Sequence, residues 1–426
     1  MLTPSQAAWQ PKSTKKQPCI FAASGYHLPL MIRRIDFGSE TEAREAMTRT
    51  GVDPRGVEIM ARKFLYVTFV ATGLRPAACN ILKQEMLAAG GEAAVARGTV
   101  NCSVESSDAI VGGTVKQMEI LVAKLEGQPF GLSELAAGIK TQLAGTVPPP
   151  IEWAGGRLDF SGPPLLMGIL NITPDSFSDG GKNFDAGRAV ENGVAMAEAG
   201  AALIDVGGES TRPGSEPVSE DGEKRRVIPV IEDLARRVKV PISIDTYRAG
   251  TARAALDAGA SIINDVTGLR SDNAMAGLAA ERKAPVVVMH MRGTPKTMQA
   301  GRIEYADLVG EISSVLMESV EKAVTAGLPR HFVIIDPGIG FGKTAAHNFE
   351  IVARLPELGS LGQPVLVGPS QKAFIGAVTG KAAGERGWGT AAVVSACVSN
   401  GAHVIRVHDV AAMREVAAVA AAVRDK

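Results

Sequence analysis

Aromatic residues make up only 4% of this 426-residue chain, against a hydrophobic share of 46%. A core built on small aliphatic side chains follows. Net charge is lacking too, with 45 basic residues balancing 45 acidic ones. No global field draws nucleic acid or an anionic membrane, so any anion must be held locally. Cysteine is scarce: Cys19, Cys79, Cys102 and Cys397 are scattered without a C-x-x-C pair. That excludes a cysteine zinc site and a disulfide framework, and points to a reducing compartment, with cytoplasm as the expectation. No apolar run approaches the roughly 18 residues that span a bilayer, and the N-terminus shows no signal-peptide pattern.

The first thirty residues mix Pro4, Pro11, Pro18 and Pro29 with Lys12, Lys15 and Lys16 and carry no period, so they are expected to be disordered. Met31 directly precedes a more ordered pattern and is the expected start of the native protein. Residues 31–145 read as a small α+β domain. Strands are expected at Ile32–Phe37, Phe64–Ala71, Ala93–Val104 and Asp108–Gly112. Helices are expected from the Ser39/Glu42 capping box to Arg49, over Arg75–Ala89 up to Gly90-Gly91, and over Val115–Leu125. Nothing in this part has metal spacing, a nucleophile-base pair or a phosphate loop. Arg97 and Asn101 are polar enough for a ligand, but ordinary surface polarity accounts for them. A structural or oligomerisation module, within a homodimer, is the expectation. Gly145–Pro150 is a stiff connection, and 146–164 is read as a linker leading into the next domain.

From Leu165 the pattern becomes regular. Eight apolar runs begin near Met167, Ala202, Pro241, Ser261, Pro285, Phe332, Pro364 and His403, with helical segments such as Asp185–Ala199, Glu220–Val238, Arg248–Ala258 and Tyr305–Ala326 between them. Near-continuous hydrophobic strands alternating with helices imply a parallel sheet, and eight such units imply a (β/α)8 barrel over 165–426. Strand after strand turns polar only at its C-terminal edge: Asn171, Asp205 with Glu209, Asp245, Asn264 with Asp265, His290, Asp336, and Arg406 with His408. In a barrel these edges converge on one mouth.

The residue types say what such a mouth could hold. Asp245, Asn264 and Asp336 offer acceptors suited to a flat ligand edge of N–H donors, such as an aminopyrimidinone. Arg212, Lys372, Arg406 and His408 suggest a bound phosphate or carboxylate, and Lys372 is placed where the helix after the seventh strand begins. Lys343, in GIGFGK, is expected to add charge at the mouth, although that loop lacks the Walker spacing. Asn171 offers one neutral oxygen, which suits a Mg2+ that keeps most of its waters and leans on substrate phosphates.

Seven motifs in order, MGILNITPDSFSDGG from Met167, GGESTRPG from Gly207, SIDT from Ser243, INDVTGL from Ile263, MHMRGTPKTMQ from Met289, DPGIGFGK from Asp336 and RVHDV from Arg406, resemble dihydropteroate synthase. The resemblance covers the second domain. It implies condensation of 4-aminobenzoate with a dihydropterin methyl diphosphate in folate synthesis, with diphosphate released and Mg2+ as cofactor. By position, Asn171 would hold the metal. Asp245, Asn264, Asp336 and Lys372 would hold the pterin, and Thr211, Arg406 and His408, with Asn171, the diphosphate. Phe177, Thr211, Arg212, Pro213, Phe341 and Lys372 would line the aminobenzoate site. Asp179, Asp245 and Lys372 are the expected catalytic residues, with Pro174–Gly181 and Ser210–Gly214 closing over the site. Where the family usually reads Ser-Arg-Lys-Ser, this chain has Ser370-Gln371-Lys372-Ala373, which implies weaker substrate binding or an altered sulfonamide response. Two alternatives keep the barrel: a methyltransferase using methyltetrahydrofolate, and a non-catalytic pterin-binding protein.

Overall fold

The computed structural model describes residues 32–145, 147–172, 186–210, 218–294, 297–299 and 301–425. The chain forms two compact units that divide between Leu143 and Ala144.

The first unit begins with α1 (Glu40–Thr50) and α2 (Pro54–Met60). Ser39 caps α1 by accepting from the Glu42 amide of the first turn, while the Glu42 carboxylate accepts from the Gly38 amide just ahead of the cap. Next come β1 (Tyr66–Leu74), α3 (Pro76–Ala88), β2 (Glu92–Val95), β3 (Ser107–Thr114), α4 (Val115–Leu125) and α5 (Leu132–Leu143). The three strands form an antiparallel sheet in the order β1-β3-β2. Leu82 and Met86 of α3, Leu121 and Leu125 of α4 and Ile139 of α5 pack with Val111 into its core. Two of the expected strands differ. Ile32–Phe37 has no strand partner, and Ile32 is 88% exposed, so its alternation buries no face. The Ala93–Val104 run stops at Val95, because Arg97–Thr99 turns into a short 3-10 segment.

Within the stretch read as a linker, β4 (Ile151–Trp153) and β5 (Gly156–Leu158) pair as a hairpin. Ile151 and Leu158 join the core of the second unit, and Gly155 lies so close to Ser261 that a Cβ there would meet its Cβ at 2.3 Å. The hairpin therefore covers the N-terminal end of the following sheet.

That sheet contains β6 (Leu165–Asn171), β7 (Leu203–Gly207), β8 (Ile242–Asp245), β9 (Ile262–Asp265), β10 (Val286–Met289), β11 (Val333–Asp336), β12 (Leu366–Val367) and β13 (Val404–Val407). All pair in parallel, in the order β11-β10-β9-β8-β7-β6-β13-β12, and one parallel bridge between Ile335 and Val365 closes the ring. Around it run α6 (Ala186–Glu198), α7 (Glu220–Arg237), α8 (Ala249–Asp257), α9 (Met275–Arg282), α10 (Leu308–Thr325), α11 (Ala345–Ala353), α12 (Leu355–Gly359), α13 (Ala373–Thr379), α14 (Gly387–Ser399) and α15 (Val410–Arg424). The strands are apolar along their length because the barrel interior takes one face and the helices take the other. This is the expected eight-stranded α/β barrel, and it brings eight C-terminal strand edges to one end.

Candidate active site

Alternation along each short strand turns Asp205, Asp245, Asn264 and Arg406 toward one another. Fully buried Asp205 accepts through one carboxylate oxygen from Arg406 Nε at 2.6 Å and from Asn264 Nδ2 at 2.9 Å. Arg406 uses Nη2 to reach Asp245 at 2.8 Å. One guanidinium thus ties β13 to β7 and β8 across the mouth. Because the Asn264 amide nitrogen is spent on Asp205, its carbonyl oxygen is left as an acceptor for a ligand. Asn171 stands beside Asp245 over Gly207, where an added Cβ would lie 3.7 Å from Asn171 Oδ1 and 3.5 Å from the Asp245 Cβ.

The electrostatics follow from burial. Desolvation pushes Asp245 up to about 7 against the pull of Arg406, with Asp205 adding like charge. Burial likewise raises Asp336 to about 6, opposed by the Gly338 amide that donates to it at 2.7 Å and by Lys372 and Arg406. Burial works to lower Arg406, and the charges of Asp205 and Asp245 more than offset it. Two carboxyls in the free site therefore lie close to exchanging a proton near neutrality, and N–H donors from a ligand would favour their ionised forms.

Lys372 lies over the Phe341 ring, with Nζ 4.4 Å from the centroid, a cation–π contact. Ser370 Oγ is 2.9 Å from Nδ1 of His408 and accepts from the His408 amide at 3.3 Å, so the residue before Gln371 ties to the end of β13. Gln371 takes a left-handed backbone, φ 60°, which costs a non-glycine residue about 1–2 kcal/mol. Its side-chain oxygen accepts from the amides of Gly384 and Arg386.

Several polar residues expected at the mouth serve as anchors instead. Lys343 is 3% exposed, and its ammonium reaches His290 Nδ1 at 2.8 Å, the Phe341 carbonyl at 3.1 Å and the His290 carbonyl at 3.3 Å. It ties the loop after β11 to the end of β10, and its charge acts on Asp336 at the mouth; burial lowers it to about 7. Burial and the neighbouring Lys343 charge hold His290 down near 3, so it is neutral. Asp265 accepts from the amides of Thr267 and Leu269 and closes the turn after β9. Glu209 pairs with Arg248 at 2.7 Å and accepts from the Tyr247 hydroxyl at 3.0 Å. Gly338, φ 68°, passes so close to the His290 carbonyl that a Cβ would meet its oxygen at 2.0 Å, so only glycine fits there. Phe177, Asp179, Thr211, Arg212 and Pro213, and both expected closing loops apart from Ser210, lie outside the described residues.

Among the described residues there is no group of three or more His, Cys, Asp or Glu side chains placed to hold a metal. Among the described residues the donor set beside Asp245 is one amide oxygen, Asn171, next to the two carboxylates that Arg406 already engages. That does not make a protein cage, and it does fit a hydrated divalent ion carried mainly by a ligand's phosphates.

A family model described as pterin binding enzyme matches residues 167–408. A dihydropteroate synthase from Synechocystis is 45% identical over 280 residues, which covers 66% of this chain and 96% of that protein. This chain belongs to the dihydropteroate synthase family. A solved dihydropteroate synthase from Xanthomonas albilineans with 4-aminobenzoic acid is 43% identical and superposes with a TM-score of 0.61, covering 66% of this chain and 100% of that one. A probable bifunctional folylpolyglutamate synthase/dihydropteroate synthase from Halobacterium salinarum is 42% identical over 378 residues. The chain spans 45% of that relative's length, and the match takes in 88% of the chain. Because the barrel unit is about two-thirds of the chain, this match reaches into the first unit, which the Synechocystis synthase does not need to be almost fully covered.

Of the residues that organise the mouth, Asp205, Lys343 and Ser370 carry roles that sequence reading did not assign. Asp205 was visible as a strand-end acid, two residues before the Gly207-Gly208 pair. Its partners lie 59 and 201 residues away, so no local pattern names them.

Proposed function

We propose that the mouth holds the 2-amino-4-oxopyrimidine edge of a dihydropterin methyl diphosphate on Asp245, Asn264 and Asp336, and joins its methylene carbon to the amine nitrogen of 4-aminobenzoate. The carbon–oxygen bond to diphosphate breaks, with the electron pair leaving on the diphosphate. The carbon–nitrogen bond forms, and the amine gives up a proton. One observation carries this reading: three acceptors for ring N–H groups meet the cations Arg406 and Lys372 at the same strand edges.

Arg406, with Nη1 not used by either carboxylate bond, and His408 hold the departing diphosphate and oppose its growing charge, with the Thr211 hydroxyl nearby as a hydrogen-bond donor. Asn171 would hold Mg2+, whose contribution when bound is Lewis-acid stabilisation of the leaving oxygens. Carboxylates around the ring favour the positive charge that develops on the pterin methylene. Lys372, on the Phe341 ring, spans the pterin and the aminobenzoate. Phe177, Arg212, Pro213 and Phe341 orient the weakly nucleophilic amine and exclude water, and Asp179 assists at that step. The free thiols of Cys79, Cys102 and Cys397 support a cytoplasmic setting, and exposed Val419 and Val423 on α15 support pairing with a second copy.

The test is diphosphate release on mixing the protein with Mg2+, the pterin diphosphate and 4-aminobenzoate. Release should require all three and should stop with Asp245→Ala. Methyl transfer from methyltetrahydrofolate to an added corrinoid, without diphosphate release from the pterin diphosphate, would replace this reading with a methyltransferase.

A further inference from the structure

We infer that Gln371 and Arg386 form a latch that fixes Lys372 in the mouth, making Gln371 a positioning residue for the reaction. The inference rests on the reading of Lys372 as a ligand contact. Three consecutive residues divide their partners. Ser370 bonds to His408 at the end of β13, Gln371 turns away toward the connection between α13 and α14, and Lys372 reaches Phe341.

Gln371 is held at four points. Its Oε1 accepts from the Gly384 and Arg386 amides, each at 3.2 Å. Its carbonyl accepts from Arg386 Nη1 at 2.8 Å, and its amide donates to Thr390 Oγ1 at 3.1 Å on α14. Arg386 is itself gripped, donating through Nε to the Lys381 carbonyl at 3.0 Å. It lies across α13 at Gly376, where an added Cβ would stand 2.7 Å from Nε and from Nη2. The glycine lets the guanidinium reach the Gln371 carbonyl over the helix backbone.

These bonds compensate the left-handed turn at Gln371, and that turn sets the direction in which Lys372 leaves the backbone. Both lone pairs of the carboxamide oxygen are occupied by backbone amides, so this oxygen serves the scaffold and not a ligand. The arrangement needs an acceptor at the end of a side chain of this length. Glutamate supplies one. Leucine fills similar space without it.

The experiment uses the full chain and two readouts. Amide exchange is followed over residues 381–387 in the ligand-free protein, and steady-state turnover is measured with pterin diphosphate and 4-aminobenzoate. Gln371→Leu should raise exchange about tenfold and the KM for pterin diphosphate about tenfold, while kcat changes less than about threefold. Arg386→Met should behave in the same way. Gln371→Glu should stay within about twofold of the parent in both readouts. Unchanged exchange in Gln371→Leu would overturn the latch, and raised exchange with an unchanged KM would overturn the positioning role. A raised KM in Gln371→Glu with protected amides would mean that the Gln371 amide nitrogen touches the ligand, again against the proposal. If the parent protein releases no diphosphate, the functional reading fails, and exchange alone then decides the latch.

Discussion

Asp245 and Asp336 make binding a proton-linked event at the scale of single residues. Burial raises them to about 7 and about 6, so the ligand-free site holds protons that its ionised, ligand-accepting form lacks. Pterin binding should therefore release protons below neutrality, and affinity should climb as pH rises through about 6 and 7 and level off above. Calorimetry in buffers of different ionisation heat should show net release near pH 6 and almost none near pH 8.5; proton uptake at pH 6 would contradict the assignment. The same shifts act on stability with a definite sign. Raised carboxyls contribute stability at low pH that is lost as pH rises through 6 and 7, whereas Lys343, lowered to about 7, contributes stability that is lost as pH falls through 7. Much of this was readable in advance. Asp245, Asn264, Asp336 and Arg406 announced themselves as polar residues ending apolar strands. Lys343 did not, because a lysine in a glycine-rich loop looks the same whether it faces solvent or, as here, packs against His290.

Among elements, Arg248 ties the end of β7 to the approach to α7. Arg248, at the start of α8, holds Glu209 on one side of residues 211–217 and the Val218 carbonyl on the other. The same guanidinium meets Glu223, a glutamate only 1% exposed, which also accepts from Thr251 Oγ1 at 2.9 Å. Glu223→Ala should cost the barrel about 2 kcal/mol in urea unfolding, because it removes one of the two carboxylates on Arg248, leaving Glu209 as the other, and leaves Thr251 without its acceptor. A loss below about 1 kcal/mol would show the network to be dispensable. All eight barrel strands were legible as apolar runs, since both faces of each are covered. Their lengths were not: the run at Pro364 yields only Leu366–Val367 as ladder. In the first unit α2 and α5 went unread, as α2 is seven residues long and α5 follows a Gly127–Gly131 turn that masks its start.

For the molecule as a whole, the Gly145–Pro150 stretch marks the change of unit, and the contact boundary at Leu143/Ala144 lies beside it. Prolines are readable because they restrict the chain whatever surrounds them. What the first unit does was not readable, since its polar residues form surface ion pairs such as Arg62 with Glu40 and Glu119. The Synechocystis relative is covered almost completely by a match to about two-thirds of this chain. Residues 144–426 alone should therefore keep kcat/KM within about threefold; a larger loss would give the first unit a share in catalysis. The barrel's closure has one further consequence. Its ends meet firmly, with four paired residues joining β13 to β6, while β11 and β12 share the single Ile335–Val365 bridge. The ring is a band with its clasp at that point, and the clasp separates Asp336 from Lys372. A ligand gripping both residues works as a cross-brace over the weakest joint, so occupancy should stiffen the hoop most along the line where the backbone holds it least.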